Sequence, residues 1–294
     1  MVYLEYFKIP DKSFEEEFLL DYPYQLEMQC YNHYNVYPFG IFPKKKFDYM
    51  TFEPITFFYG GNGSGKSTLL NVISQKLGCT RSAPFNNTPY FEDYLRGCHY
   101  KPSYVNIPRE MKHVASDDVF NYLLDIRSLN ENVDRKRQLL FRQYDVEAGT
   151  PMQHLRSMDE YDDFKLQFEA KRSSKSEFVT KRLKVSEIDG KSNGESAFAY
   201  FTHHIKDDSL YLLDEPENSL SPALQTELAQ FLSDSARFYG CQFIISTHSP
   251  FLLSINGAKI YDLDSSPVTQ KSWTELKNVR AYYDFFTEHS DEFK

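Results

Sequence analysis

The sequence predicts an α/β fold. Three apolar runs of strand length, Ile55 to Tyr59, Leu210 to Leu213 and Gln242 to Ile245, each run into polar residues able to do chemistry. A glycine-rich loop joins the first run to a helical pattern, and the stretch between the first and second runs reads as mostly helical. Ligands of α/β sheets collect at the carboxyl ends of strands, so function is expected in the residues just beyond each run.

The first run continues as "GGNGSGKSTLLNVISQKLG", in which Gly60, Gly65, Lys66 and Ser67 satisfy G-x-x-x-x-G-K-[ST], the phosphate-binding P-loop. After Lys66, apolar residues recur at Leu69, Ile73 and Leu77, with Leu70 alongside, and Gly78 closes the helix. Glycines let successive backbone N–H groups curl round phosphates with no Cβ in the way, and the following helix presents its positive end. Gly61, Asn62, Gly63, Ser64 and Thr68 complete the expected cradle. Lys66 supplies a point charge to the β and γ phosphates, and Ser67 a hydroxyl to Mg²⁺, a hard cation that takes oxygen ligands.

The second run, "LYLLDEPENSLSP", ends in the adjacent carboxylates Asp214 and Glu215. A buried strand ordinarily stops before such charge. In a P-loop protein the first carboxylate supports the cation that Ser67 holds, and the second polarises the attacking water, which makes Glu215 the candidate general base. The third run, "CQFIISTHSP", ends in His248, a candidate contact for the γ-phosphate at a third strand end.

Taken together these residues resemble the ABC class of ATPases: Walker A "GGNGSGKST", Walker B "LYLLDEP", a D-loop-like "NSLS" from Asn218 to Ser221, and the switch histidine His248. The spacing from Asp214 back to Glu195 and on to His248 is close to that of ABC nucleotide domains, and it brings "GKSNGES" (Gly190 to Ser196) to the signature position. That stretch is no second P-loop, because Val185 stands where the first glycine is required. The resemblance implies that Ser192 and Gly194, with Glu195 after them, grip the γ-phosphate held by the P-loop of a second subunit. It implies an ABC-type ATPase head with a mixed sheet and an inserted helical subdomain: one domain over residues 1–294, with residues 90–190 mostly helical between the Walker A and signature lobes. Between about residues 80 and 185, "SDDVFNYLLDIRSL" and "VDRKRQLLFRQYDVE" read as two helices and "SAPFNNTPYFEDYLRG" as loop. The last thirty residues read as a helix packed against the core.

The sequence departs from transporter ATPases in three ways. The signature LSGGQ is here Lys-Ser-Asn-Gly-Glu, the span from Lys66 to Ser192 is longer, and no Gln occurs between Gln75 and Gln138 where a Q-loop glutamine belongs. Asp117 or Asp118 stands at that place. "DEPENSLSP" followed by "STHSPFLL" looks like stand-alone bacterial ATPases of the AAA_21 kind, kin to the heads of RecF, SMC and OLD proteins. The implied activity is Mg-ATP hydrolysis by an ATP-dependent homodimer that drives or gates a nucleic-acid or protein effector, as in DNA repair or phage defence. The alternatives are an ABC transporter's ATPase subunit and a nucleotide-dependent binding switch without significant turnover.

Composition sets bounds on these readings. The 294 residues are 41% hydrophobic, enough for a sizeable core, and the 22 Tyr and 25 Phe read as packing residues. Cys30, Cys79, Cys98 and Cys241 stand far apart with no C-x-x-C pair, which argues against a disulfide framework or zinc site and for a reducing cytoplasm. No apolar run is long enough to span a membrane, and the first residues lack the pattern of a signal peptide. A net charge of -9 argues against a nonspecific nucleic-acid coat. Lys165 to Lys184, with seven Lys or Arg and two Glu, is a local basic exception that reads as a solvated helical face or as a contact for nucleic acid or an acidic partner.

Overall fold

The computed structural model describes residues 1–21, 36–151, 161–183 and 192–294. Cys30, Lys184, Val185, Gly190 and Lys191 lie outside them. Strands are β1 (Leu4–Lys8), β2 (Tyr49–Thr51), β3 (Ile55–Tyr59), β4 (His99–Pro102), β5 (Met111–Val114), β6 (Leu210–Asp214), β7 (Gln242–Thr247), β8 (Lys259–Asp262) and β9 (Thr269–Gln270). Helices are α1 (Lys12–Asp21), α2 (Lys66–Leu77), α3 (Phe91–Arg96), α4 (Ser116–Gly149), α5 (Tyr161–Arg172), α6 (Lys175–Arg182), α7 (Asn193–His204), α8 (Pro222–Phe238), α9 (Pro250–Leu253) and α10 (Lys277–Glu288). The chain separates into two compact units, Met1–Phe120 with Asn193–Lys294, and Asn121–Ser192.

The first unit is built on a six-stranded sheet of order β5-β6-β7-β3-β8-β9. Pairings from β5 through β8 are parallel, and β9 is antiparallel to β8, so the sheet is mixed. Every residue of β3 and β7 is buried. A parallel strand covered on both faces needs a near-continuous apolar run rather than alternation, which is why "ITFFY" and "QFIIST" read so plainly. Pairing puts Asp214 opposite Ser246, and Tyr59 opposite both Thr247 and Asp262. The carboxyl ends of β6, β7, β3 and β8 therefore finish at one level, with α2 packed against β5, β6 and β7.

A second, antiparallel sheet of order β2-β1-β4 has no counterpart in the sequence reading. It is fastened to the main sheet by Gln242, whose side chain is wholly buried at the start of β7. Its Oε1 accepts from Tyr3 N (2.7 Å) and Leu4 N (2.9 Å), and its Nε2 donates to Leu4 O (3.1 Å) and Glu53 O (3.3 Å). Tyr261 of β8 adds a tie to β2, accepting from Thr51 N (2.9 Å) and donating to Thr51 O (3.0 Å). The aromatic excess fills the core: Phe7, Phe42, Phe57, Phe58, Phe91, Tyr94, Tyr211 and Phe243 are all fully buried. Each such side chain contributes about 1.5–3 kcal/mol relative to an exposed position.

Several segments differ from expectation for identifiable reasons. Within "SAPFNNTPYFEDYLRG", Phe91–Arg96 is helix α3, because Phe91, Tyr94 and Leu95 recur at helical spacing and bury together. Residues 91–120 also supply β4 and β5, so the middle segment is not helical from its beginning. The two expected helices are one, α4, of 34 residues, since neither Gly nor Pro interrupts the chain between them. At the C-terminus α10 docks by its first turn only, where Asn278 N donates to Tyr59 Oη (3.0 Å) and Val279 is buried. Tyr282, Tyr283, Phe285 and Phe286 of α10 are exposed.

The second unit, as described, is helical. Ala170, Phe178 and Val179 form its small core, with Leu140, Phe141, Tyr144 and Leu166 against it. Ser174 and Glu177 form a capping box that starts α6. Much of the basic run is answered from within: Lys175 pairs with Asp145 (2.7 Å), and Arg182 (2.7 Å) and Lys181 (3.4 Å) with Glu169. Arg172 and Arg182 lie over the rings of Phe168 and Phe178.

Replacing Gln242 by Leu should cost roughly 2–5 kcal/mol in urea unfolding, because it takes the side-chain partner from two N–H groups and two carbonyls. A loss under 1 kcal/mol would mean that the two sheets do not depend on this amide. A second prediction concerns Glu15, buried in the first unit with Gly40 N donating to its Oε2 (2.6 Å). Burial pushes its carboxyl up to about 7, while the Gly40 N–H and the Tyr94 hydroxyl pull it back. The folded state thus binds more protons than the unfolded chain between the ordinary carboxylate range and about pH 7. Stability should fall by about 3 kcal/mol as pH rises through that window. Glu15→Gln should flatten this slope, as read from urea midpoints at pH 5 and pH 8.

Candidate functional site

The loop from Gly60 to Gly65 leaves the buried end of β3 and enters α2 with Gly63 at φ 76° and Gly65 at φ 97°, a left-handed region that side chains avoid. Gly65 caps α2 without any side-chain hydrogen bond, so the first N–H groups of the helix stay open to an anion. Gly60 is required for a different reason: a Cβ there would lie 2.5 Å from Ser64 Oγ. Lys66 is buried, and its Nζ donates to Gly60 O (2.8 Å) and Gly61 O (3.2 Å) and pairs with Glu215 Oε1 at 3.4 Å. Asp264, in the turn after β8, accepts from Gly61 N through both oxygens (3.0 and 2.9 Å) and anchors the loop from the other side.

At the end of β6, Asp214 Oδ1 accepts from Ser67 Oγ (3.1 Å) and from Ser246 Oγ. Burial raises its pKa, the Ser246 and Ser67 hydroxyls lower it, and the neighbouring Glu215 charge raises it again. Among the described residues no group of three or more His, Cys, Asp or Glu stands ready to hold a metal by protein ligands alone. One hydroxyl and one carboxylate side by side do fit Mg²⁺, which keeps several waters and takes phosphate oxygens for its remaining positions.

The chain turns sharply after Asp214. Glu215 has φ 49°, unusual for a residue with a Cβ, and its N–H donates to Ser246 O (3.0 Å) and Ser246 Oγ (3.1 Å). Its Oε1 lies 3.9 Å from His248 Nδ1 as well as 3.4 Å from Lys66 Nζ. Lys66, Ser67, Asp214, Glu215 and His248, drawn from three separate runs of sequence, thus meet at one strand-end level. Asn62 to Thr68 and Glu215 line an open cleft of about 230 Å³. Ligand pockets usually exceed about 300 Å³.

Ser192, Gly194 and Glu195 are not among the residues lining that cleft. Ser192 immediately precedes α7, with Gly194 and Glu195 in its first turn. Gly194 sits against the turn that follows Walker B, since a Cβ on it would lie 2.9 Å from Leu224 Cδ1 and 3.2 Å from Ser219 O. Of the two aspartates at the Q-loop position, Asp117 is exposed, while Asp118 is buried and accepts from Ala115 N (2.8 Å) at the start of α4.

Three residues escaped the sequence reading: Ser246, Asp264 and Glu217. Glu217 is buried, and its Oε1 accepts from Thr247 Oγ1 (2.6 Å) and His248 N (3.0 Å). Burial raises its pKa, and these bonds and the His248 ring hold it back. The only signal in the sequence was a third acidic residue in "DEPEN", directly after a buried strand.

The family described as "AAA domain, putative AbiEii toxin, Type IV TA system" (AAA_21) matches residues 109–254, about half of the chain, including the signature, Walker B and His248 but not the P-loop. Similar solved structures include the Smc head domain with an extended coiled coil bound to the C-terminal domain of ScpA from Pyrococcus furiosus, at 14% identity over 97% of this chain and 100% of that one, TM-score 0.39. The SMC head domain from Thermotoga maritima gives 16% identity over 76% and 92%, TM-score 0.34. A structure described as an inward-facing "putative metal-chelate type ABC transporter" gives 20% identity over 79% and 76%, TM-score 0.35. Comparison with curated proteins found no match. With the family match added to the P-loop and the strand order, the chain is a P-loop ATPase domain of the ABC class, of the AAA_21 type. No helix among the described residues is long and apolar enough to cross a membrane.

Gly60→Ala should weaken ATP binding by about tenfold or more, since its Cβ and Ser64 cannot both be seated in the loop. Adding Ser64→Gly removes the clashing atoms and should recover most of the affinity by isothermal titration. Equal binding by Gly60→Ala and wild type would show that the loop reshapes freely.

Proposed function

We propose that the chain binds Mg-ATP at the P-loop, hydrolyses it with Glu215 as general base, and does so as a homodimer whose two copies close around two nucleotides. The observation that carries the reading is the placement of Glu215 Oε1 3.4 Å from Lys66 Nζ and 3.9 Å from His248 Nδ1, beside the Ser67 and Asp214 pair. Mg²⁺, when bound, neutralises phosphate charge. Lys66 and the open N–H groups of α2 hold the phosphates, Ser67 and Asp214 hold the cation, and Glu215 takes the proton of the water that attacks the γ-phosphorus. His248 contacts the γ-phosphate as bond cleavage puts charge on its oxygens and on the leaving ADP.

The dimer is supported by the small open cleft and by the place of the signature residues. Asn62 to Thr68 and Glu215 offer one wall only, whereas Ser192 and Gly194 stand at a helix start that does not line it. A second copy would bring that helix start across the nucleotide, with Ser192 donating a hydroxyl and α7 its positive end. Closure and release then gate an effector, nucleic acid or protein. Exposed Lys165, Lys171 and Arg172 remain for an acidic partner.

Glu215→Gln should lower turnover by roughly 10² to 10⁴ and leave ATP bound, so sizing with Mg-ATP should show a stable dimer. A variant that binds ATP yet stays monomeric at every concentration would sink the sandwich. Ser192→Arg should abolish the dimer while leaving ATP binding by the monomer nearly unchanged. Phosphate release measured with and without DNA tests the nucleic-acid arm, and absence of release under all conditions would favour a binding switch.

A further inference from the structure

We propose that Asp264 is a positioning residue of the nucleotide site: it tethers the P-loop at Gly61 N while Lys66 turns to the phosphates, and so sets the affinity for ATP rather than the turnover. The inference rests on the reading of the P-loop as the Mg-ATP site. It concerns a residue outside the motif and outside the segment that the family match covers.

Strands β3 and β8 run parallel with Tyr59 opposite Asp262, and the last bond of their ladder is Leu263 N to Tyr59 O (2.8 Å). The regular continuation of a parallel ladder would join Gly61 N to Leu263 O. Two side chains replace that bond. Asp264 takes the Gly61 N–H through both carboxylate oxygens (3.0 and 2.9 Å), and Lys45 Nζ donates to Leu263 O. The exchange lets the chain leave the sheet and curl as a phosphate loop while the start of the loop stays fastened. Asp264 is itself fixed, since its N–H donates to Asp262 Oδ1 (3.0 Å) and the buried Asp262 is paired through Oδ2 with Lys271 Nζ (2.6 Å). Burial lowers the pKa of Lys45 and the charges of Asp264 and Asp262 raise it, so an ammonium balances the carboxylate beside the loop.

The Lys66 ammonium has three protons. Its partners are Gly60 O (2.8 Å), Gly61 O (3.2 Å) and Glu215 Oε1 (3.4 Å), one for each. Contact with the β and γ phosphates takes two of the three, so at least one loop carbonyl gives up its donor when ATP binds. The Asp264 bond meets no such competition. The cleft is lined from Asn62 onward, and neither Gly61 nor Asp264 lines it. As Lys66 lets go of the loop, Asp264 keeps the following N–H groups in the curl that phosphate requires.

The test combines isothermal titration with Mg-ATP, steady-state kinetics and amide hydrogen exchange at Gly61. In wild type the Gly61 amide should be protected without ATP and no less protected with it; loss of protection on adding ATP overturns the proposal without any variant. Asp264 is exposed, so its truncation opens no cavity in the core. Asp264→Ala should speed exchange at Gly61 and weaken ATP binding by about 10- to 100-fold, with kcat at saturating ATP changed less than about threefold. Asp264→Asn keeps an acceptor oxygen and should bind ATP within about threefold of wild type. Unchanged affinity in Asp264→Ala, with or without a lower urea midpoint, would overturn the inference, as would binding by Asp264→Asn as weak as that by Asp264→Ala. Failure of wild type to bind ATP would count against the proposed function and this inference together, whereas wild-type binding matched by Asp264→Ala counts against this inference alone.

Discussion

The parallel pairing of β7 between β3 and β6 is the constraint on which the rest of the site depends. That register puts Ser246 beside Asp214 and Thr247 beside Tyr59, so three polar strand ends reach one level and no loop has to carry them there. Ser246 then does double work, donating to Asp214 and receiving the N–H of Glu215 through both its carbonyl and its hydroxyl. With those bonds in place the chain can turn through a left-handed Glu215, a conformation that costs of order 1–3 kcal/mol and persists only where its surroundings over-determine it. The turn is what swings Glu215 back toward Lys66 instead of onward along the strand.

Burial sets the chemistry of the carboxylates. Glu217 is buried and Asp214 half-buried, and each is held by a hydroxyl from the end of β7, Thr247 for the first and Ser246 for the second. Glu215 is half-buried too and borders the cleft. One turn of chain therefore offers three acids in three environments: one beside Ser67, one at the cleft beside Lys66, and one buried against the end of β7.

Packing by itself demands a glycine at position 194. The resemblance to ABC proteins reads it as room for a phosphate, whereas here its missing Cβ also makes room for Leu224 and the carbonyl of Ser219. Ser219 itself has φ 71°. The start of α7 thus packs closely against the turn after Walker B and the start of α8.

Much of this was legible in the sequence for a physical reason. Doubly buried parallel strands must be apolar throughout, a phosphate cradle must have glycines and a lysine at set offsets, and ionisable groups at the end of a buried strand have few structural uses. Those local demands determined the α/β class, the P-loop, Asp214, Glu215 and His248. The tertiary structure alone decided what depends on contacts between distant residues: the second sheet and its tie through Gln242, the anchoring of Gly61 by Asp264, the close packing of Gly194, and the burial of Glu217 against His248. None of these has a period or a spacing along the chain. Gln242, Asp264 and Glu217 are ordinary polar residues until folding removes their water, and only then do their partners, such as Tyr3 for Gln242 and Gly61 for Asp264, each more than two hundred residues away, become obligatory.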